Sequence, residues 1–275
     1  MPAMAIDPRA IIGKDVELAE DVEVGPYAVI EGHVHIGRGS RIYPNAYISG
    51  WVEVGEKVQV HPNAVLGHMP QDFHFEPGTR TYLKIGDGTI IREMATIHSG
   101  TQPESSTVIG RNCFILCNAH IGHNCVIDDE AKIYTFTGVS GHVEVGRKAI
   151  VSGMCAIHQF IRIGQEAMIG GLTRLPADVP PFMTCAGEYG CIGVNAIGMR
   201  RQGHSPPAIK SCRRAFVTLY RSGVPFRRAL DEVESWADCD EVRQIVEFCR
   251  KPGPRGIVRG RPRKVMQVEA GEDPT

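Results

Sequence analysis

An aliphatic residue recurs at every sixth position over most of this chain, and this period constrains the fold more than any other feature. The first run is Ile6, Ile12, Leu18, Val24, Ile30, Ile36, Ile42, Ile48, Val54, Val60 and Leu66. The second run is Ile85, Ile91, Ile97, Ile109, Ile115, Ile121, Ile127, Ile133, Val139, Val145, Val151, Ile157, Ile163, Ile169 and Leu175. A period of six matches neither the helical 3.6 nor strand alternation. It predicts a mainly β protein, a parallel β-helix with three hexads in each turn of about 18 residues.

A small or β-branched residue follows most of these aliphatic positions by four residues, as at Cys113, Ala119, Cys125, Ala131 and Cys155. The large side chain would fill a narrow prism and the small one would pack beside it. This packing accounts for a composition with 31 glycines and only 7% aromatic residues. The nine cysteines include no CxxC pair. We therefore expect reduced thiols, three of them core residues, and no zinc or disulfide framework.

The pattern divides the chain into three parts. Residues 1–190 are predicted to form the β-helix, with an excursion loop at about 68–82 where the repeat is interrupted. Residues 191–258 are predicted to form an α-helical C-terminal domain. Its helices would run from Ser205-Pro206 to Gly223, over about 226–237, and from a cap at Asp240 to Pro252. Residues 259–275 are predicted to be a disordered basic tail.

Composition excludes several classes of protein. A formal net charge of −1 argues against a general nucleic-acid binder. There is no run of about 18 apolar residues, so we predict no membrane span. The first residues lack the apolar core of a signal peptide, which favours a cytoplasmic location.

The repeat also allows histidines to be placed relative to one another. In steps of 18, His123, His142 and His158 fall on one edge of the prism in successive coils, with Gly141 and Gln159 directly above His123. His120 lies three residues earlier on the coil of His123. The same arithmetic assigns His98 to a different face.

Such a column suits proton transfer and acyl chemistry. A histidine can act as a general base near neutral pH, and the unshielded N–H of Gly141 could stabilise an oxyanion. The sequence contains no Ser nucleophile elbow, the motif that would indicate a covalent route. We therefore predict direct transfer of the acyl group. A zinc protein like γ-carbonic anhydrase on the same fold stays open as an alternative, although the spacing of His120 and His123 departs from that pattern.

Four segments carry a resemblance to a known family: Asn118-Ala-His-Ile-Gly-His-Asn-Cys125, Ser140-Gly-His142, Ala156-Ile-His-Gln-Phe160 and Asp178-Val-Pro-Pro181. Together with Pro70-Gln-Asp72, Thr96-Ile-His-Ser-Gly100 and Gly193-Val-Asn195, they resemble the hexapeptide-repeat acyl-carrier-protein-dependent UDP-N-acetylglucosamine O-acyltransferases of lipid A biosynthesis. The resemblance implies a left-handed coil. It also implies transfer of a 3-hydroxyacyl chain to the glucosamine 3-position, the first step of that pathway.

The resemblance further implies roles for individual residues. His123 would be the general base, Gly141 the oxyanion donor, and Asn124 the residue that orients the imidazole. The expected substrate contacts are Asp72, His74, His98, His120, His142, His158, Gln159, Gly171, Asn195 and Arg201. Gly171 would bear on acyl length. The implied partners are acyl carrier protein and a UDP-sugar. No metal or cofactor is expected beyond the donor's phosphopantetheine, and a homotrimer is expected with its active sites between subunits.

This chain departs from the family pattern at four positions. Asn124 stands where many members have Asp, His74 where the commonest have Lys, and Ile197 and Gln202 where an acid and a base are usual. These changes keep N-acylation of the 3-amino sugar analogue open as an alternative. The N-acyltransferase of a later glucosamine intermediate carries an extra N-terminal domain, for which hexads starting at Ile6 leave no space. A sugar acetyltransferase using acetyl-CoA and a non-catalytic scaffold explain the motifs less well.

Overall fold

The computed structural model describes residues 6–187 and 190–260. The strands up to the interruption are β1 (Ile11–Ile12), β2 (Val16–Leu18), β3 (Glu23–Val24), β4 (Val29–Ile30), β5 (His33–Ile36), β6 (Arg41–Ile42), β7 (Tyr47–Ile48), β8 (Trp51–Val54), β9 (Gln59–Val60) and β10 (Val65–Leu66). The next group is β11 (Tyr82–Ile85), β12 (Ile90–Ile91), β13 (Thr96–Ile97), β14 (Ser106–Ile109), β15 (Phe114–Ile115), β16 (His120–Ile121), β17 (Val126–Ile127), β18 (Lys132–Ile133) and β19 (Gly138–Val139). The remaining strands are β20 (Glu144–Val145), β21 (Ile150–Val151), β22 (Ala156–Ile157), β23 (Arg162–Ile163), β24 (Met168–Ile169), β25 (Arg174–Leu175), β26 (Met183–Cys185) and β27 (Cys191–Val194).

These short strands form three parallel sheets, and each sheet takes every third strand. Within a sheet most partners are 18 residues apart, as in the pairing of His120 with Gly138 and of Gly138 with Ala156. The predicted left-handed parallel β-helix is therefore confirmed. Among the strands of the described residues, only the last pair, β26 with β27, is antiparallel.

The hexad residues form the core of the prism. Ile121, Ile127 and Ile133 are fully buried, and the small residues Ala119, Cys125 and Ala131 are buried beside them. Burial raises the pKa of the Cys113 and Cys125 thiols to about 12, as expected for core residues rather than reactive thiols. All nine cysteines are free.

Two segments leave the coil. One lies between Leu66 and Tyr82, so that Trp51 pairs with Tyr82 across 31 positions instead of 18. The other lies between Ile97 and Ser106 and adds six residues, so that Thr96 pairs with His120, 24 positions later. This second insertion preserves the six-residue phase of the core but changes which face each later hexad occupies.

Within residues 190–260 four helices follow the coil: α1 (Ala196–Arg201), α2 (Pro206–Arg221), α3 (Phe226–Ser235) and α4 (Asp240–Arg250). The sequence did not predict α1, and β27 occupies the first residues of the segment predicted to be helical. Ser205 caps α2 through a hydrogen bond from the Ala208 N–H. The predicted cap at Asp240 is wrong, because Asp240 lies in the first turn of α4 and Cys239 is the capping position.

After α4 the chain returns to the prism. The Cys191 N–H donates to the Arg259 carbonyl, and Gly260 forms a β-bridge with Cys191. The first two residues of the predicted tail are thus paired with β27, while residues 261–275 lie outside the described residues. None of the helices in the described ranges is long and apolar enough to cross a membrane.

Candidate functional site

His123 and Gly141 are in direct contact at one corner of the prism. His123 follows β16, and Gly141 follows β19 on the next coil. A Cβ built on Gly141 would lie 2.5 Å from Cε1 and 2.6 Å from Nε2 of the His123 ring. Only glycine therefore allows the imidazole to lie where it does. Gly141 lines the same cleft, and its N–H has no acceptor among the described residues.

A hydrogen-bond network holds the other side of the His123 ring. His123 Nδ1 lies 2.9 Å from Asn124 Oδ1, which also accepts from the Thr101 N–H at 3.1 Å and the Thr101 hydroxyl at 2.9 Å. The Asn124 N–H donates to Thr107 Oγ1 at 2.8 Å. His123 itself is only 8% exposed. The ring is thus fixed between Asn124 and Gly141.

Three more histidine rings surround His123. The His142 ring lies 5.1 Å from that of His123 and stacks on Phe160 at 4.8 Å. His98 and His120 meet edge to face, with ring centroids 5.3 Å apart. Burial lowers the pKa of His98, His120 and His142, and neighbouring imidazoles lower it further. Their neutral forms are therefore favoured near neutral pH.

The expectation that His98 occupies a different face is wrong. His98 follows β13, which pairs with β16, so its ring lies beside that of His120. The cause is the six-residue insertion between Ile97 and Ser106, which keeps the core phase but shifts the face by one-third of a turn. His98 Nδ1 lies 2.7 Å from the carbonyl oxygen of Met69 and must donate its proton to it, since a carbonyl only accepts.

A cleft of about 770 Å³ lies on the face formed by β13, β16, β19, β22 and β25, and His98, His120, His123 and Gly141 line it. The segment between Leu66 and Tyr82 forms one wall, where Asp72 accepts a hydrogen bond from the His74 N–H at 2.9 Å. The lining residues are Gln71, Asp72, Phe73, His74, His98, His120, Gly122, His123, Gly138, Ser140, Gly141, Ala156, Ile157, His158, Gln159, Phe160, Arg174 and Leu175.

Four predicted substrate contacts do not line this cleft within one chain. His142 contacts His123 from outside the lining, and Gly171 lies at another corner, above Gly153. Asn195 accepts from the Gly198 N–H and donates to the Glu166 carbonyl, so its side chain caps α1. Arg201 is exposed at the end of that helix.

Several cleft residues were not identified from the sequence. The small residues Gly138 and Ala156 line the cleft on neighbouring strands. Arg174, on the next strand of the same sheet, is the one permanent cation among the residues lining the cleft. These three residues follow His120 at successive intervals of 18 positions, so the repeat could have identified them. Phe73, at the tip of the excursion, has a fully exposed ring. Thr101 lies in the second insertion, where the repeat provides no position.

Two further observations concern metal ions and the two positions in and directly after α1 that depart from the family pattern. No group of three or more His, Cys, Asp or Glu side chains within residues 6–187 and 190–260 has the geometry to hold a metal ion. Gln202, one of the departures from the family pattern, accepts a hydrogen bond from Lys148 Nζ at 2.7 Å. Ile197 is largely exposed on α1.

Comparison with known proteins gives consistent matches over most of the chain. The model of UDP N-acetylglucosamine O-acyltransferase domain 2 matches residues 178–258, and the bacterial transferase hexapeptide model matches residues 33–68 and 106–141. The acyl-[acyl-carrier-protein]–UDP-N-acetylglucosamine O-acyltransferase of Gloeothece citriformis is 38% identical over 72% of this chain and 73% of its own length. The Burkholderia lata enzyme of the same name is 38% identical over 70% and 76%.

Solved structures match the full architecture. The UDP-N-acetylglucosamine acyltransferase of Francisella novicida superposes with a TM-score of 0.89 at 28% identity, covering 98% of this chain and all of that one. The Acinetobacter baumannii protein gives 0.88 at 33% identity, covering 93% of this chain and all of that one.

Proposed function

This chain belongs to the acyl-[acyl-carrier-protein]–UDP-N-acetylglucosamine O-acyltransferase family, and we propose that it transfers a 3-hydroxyacyl chain from acyl carrier protein to the glucosamine 3-hydroxyl of UDP-N-acetylglucosamine. This is the first step of lipid A biosynthesis. One observation carries the proposal: the His123 imidazole lies between Asn124 Oδ1 and Gly141, and it faces the cleft.

In the proposed reaction His123 Nε2 removes the proton from the sugar 3-hydroxyl as that oxygen attacks the thioester carbonyl. The oxygen of the tetrahedral intermediate accepts a hydrogen bond from the Gly141 N–H. The carbon–sulfur bond then breaks, and the imidazolium returns its proton to the departing phosphopantetheine thiolate. A new ester, a free thiol and a neutral His123 result, so no covalent enzyme intermediate is needed.

The remaining cleft residues would hold the two substrates. Asp72, His74, His98, His120, His158 and Gln159 are the proposed contacts to the sugar nucleotide or the acyl group. The neutral His98 imidazole, whose Nδ1–H is used by Met69, can accept a hydrogen bond from a sugar hydroxyl at Nε2, and the neutral His120 imidazole likewise adds a hydrogen-bonding group without introducing charge. His142 would act through its contact with His123.

We further propose a homotrimer with the active sites between neighbouring subunits. The cleft is an open groove on one prism, while Gly171, Asn195 and Arg201 lie away from it in the same chain. A neighbouring subunit could bring these residues to the cleft. Light scattering after size-exclusion chromatography tests this proposal directly, because a monomer in solution would have no neighbouring subunit to contribute these residues.

The deciding experiment offers the purified protein the 3-hydroxyl and 3-amino acceptors, with carrier proteins bearing 3-hydroxyacyl chains of graded length. Mass spectrometry of the products should show ester formation on UDP-N-acetylglucosamine and report the preferred chain length. His123→Gln should abolish most of this transfer, whereas His35→Gln, an exposed histidine on another sheet, serves as the matched control. Product formed only with the amine, or no product, would overturn the proposal.

A further inference from the structure

Thr101 occupies an unusual place for a residue in contact with the catalytic corner, because it lies in the six-residue insertion rather than in a hexad. Hydrogen bonds within the insertion nonetheless fix its conformation. The Gln102 N–H donates to Ser105 Oγ at 3.0 Å, and that hydroxyl donates back to the Gln102 carbonyl at 2.7 Å. Thr101 itself is 9% exposed. Its backbone and hydroxyl are therefore fixed points against which Asn124 must be oriented.

The Thr101 backbone determines which end of the Asn124 carboxamide faces it. A backbone N–H can only donate, so the atom 3.1 Å away must be the amide oxygen and not the NH2 group. Turning the amide over would set the NH2 hydrogens against a fixed donor in a largely buried position, which leaves both groups unsatisfied. The Thr101 hydroxyl, 2.9 Å from the same oxygen, adds a second donor.

The orientation of Asn124 in turn determines the protonation of His123. Because Asn124 Oδ1 lies 2.9 Å from His123 Nδ1, that nitrogen must carry the hydrogen. In the neutral imidazole the lone pair is then on Nε2, the nitrogen next to Gly141. With an asparagine at 124 this result depends on the amide orientation, whereas a carboxylate would accept a hydrogen bond from the Nδ1–H in either orientation.

We propose that Thr101 is a positioning residue that fixes the Asn124 amide and thereby keeps His123 as the Nδ1–H tautomer with its basic nitrogen in the cleft. The role of that nitrogen in turnover rests on the proposed function, while the tautomer itself does not. The inference also explains how an uncharged residue can replace the acid usual after the base: the threonine supplies the orientation that a carboxylate would not require.

The first test is spectroscopic and independent of activity. Protein labelled with 15N-histidine, examined by long-range 1H–15N correlation at pH 8, should show His123 protonated at Nδ1, with the signals assigned by their loss in His123→Gln. Asn124→Ala should release the ring to a mixture of tautomers. An Nε2–H tautomer in the unmodified protein would overturn the inference whether or not the protein transfers acyl chains.

The second test is a double-mutant cycle on kcat. Thr101→Val, which removes the hydroxyl donor but keeps the backbone N–H, should lower kcat roughly two- to tenfold, the usual value of one neutral hydrogen bond, with KM little changed. Thr101→Ser, which keeps the hydroxyl, should stay near the unmodified rate. In an Asn124→Asp background Thr101→Val should have no further effect. An equal loss in both backgrounds would indicate a merely structural threonine, and no loss with Asn124 present would likewise refute the inference. Absence of acyl transfer in the unmodified protein would count against the proposed function, not against the tautomer.

Discussion

Replacing Gly141 with alanine should lower kcat about a hundredfold while leaving the fold intact. The added Cβ would lie 2.5 Å from His123 Cε1, and ordinary contacts begin near 3.4 Å. The ring must therefore move by roughly 1 Å, a displacement that can cost about a hundredfold in rate, or about 2.7 kcal/mol in the barrier. The ring cannot retreat freely, because such a movement works against the 2.9 Å hydrogen bond to Asn124.

The assay follows thiol release from acyl carrier protein at saturating acceptor, together with thermal unfolding of the same preparations. Gly193→Ala is the matched control, because a Cβ there meets no atom within 4 Å and Gly193 lies outside the cleft. Gly141→Ala should lose kcat with a modest change in KM, and the control should lose neither. A Gly141→Ala enzyme within threefold of the unmodified rate would refute the claim that this contact fixes the base. So would an equal loss in the control.

Four further predictions concern the base, pH, the core and the cleft cation. His123→Gln should lower kcat at least about a hundredfold with an unchanged circular dichroism spectrum, and a smaller loss would argue against a general base. Folding lowers the pKa of His98 below its ordinary value of 6.5, mainly because the ring is buried. The contribution of neutral His98 to stability is therefore complete above pH 6.5 and is lost as the pH falls below that value. Urea unfolding across pH 4.5–8 should therefore show a shallower acid decline for His98→Gln. Ile121→Ala, which empties a fully buried site, should cost about 2–5 kcal/mol of unfolding free energy, and a cost below about 1 kcal/mol would contradict the tight prism core. Arg174→Glu should raise the KM of an anionic substrate about tenfold, with Arg174→Lys intermediate, and equal KM values in all three proteins would remove Arg174 from substrate binding.

The sequence was sufficient for the coil because each hexad contributes the same packing unit. One aliphatic side chain such as Ile127 fills the prism and one small residue such as Ala131 packs beside it, so the period alone assigns burial. The step of 18 likewise brought Gly141 over His123, since both lie in the part of the chain without insertions. The same step would have found Arg174.

The sequence was insufficient where local geometry departs from the repeat. His98 was assigned to the wrong face because an insertion of six residues cannot be detected from the six-residue phase. Helix α1 has only six residues and contains Gly198, so propensity gave no signal for it. Its start depends on Asn195 as a cap, a role that the repeat does not reveal. The contact of Thr101 with Asn124 depends on how a loop folds back.

The insertion between Ile97 and Ser106 shows that this architecture can accommodate two kinds of length change, by six residues or by 18. Gaining or losing six residues leaves every hexad in register with the core, yet moves all later surface residues to the adjacent face. Gaining or losing 18 keeps the faces and lengthens the prism by one layer, about 4.8 Å. Indels in such a chain can thus recombine surface columns without repacking the interior, and this is how His98 comes to lie beside His120.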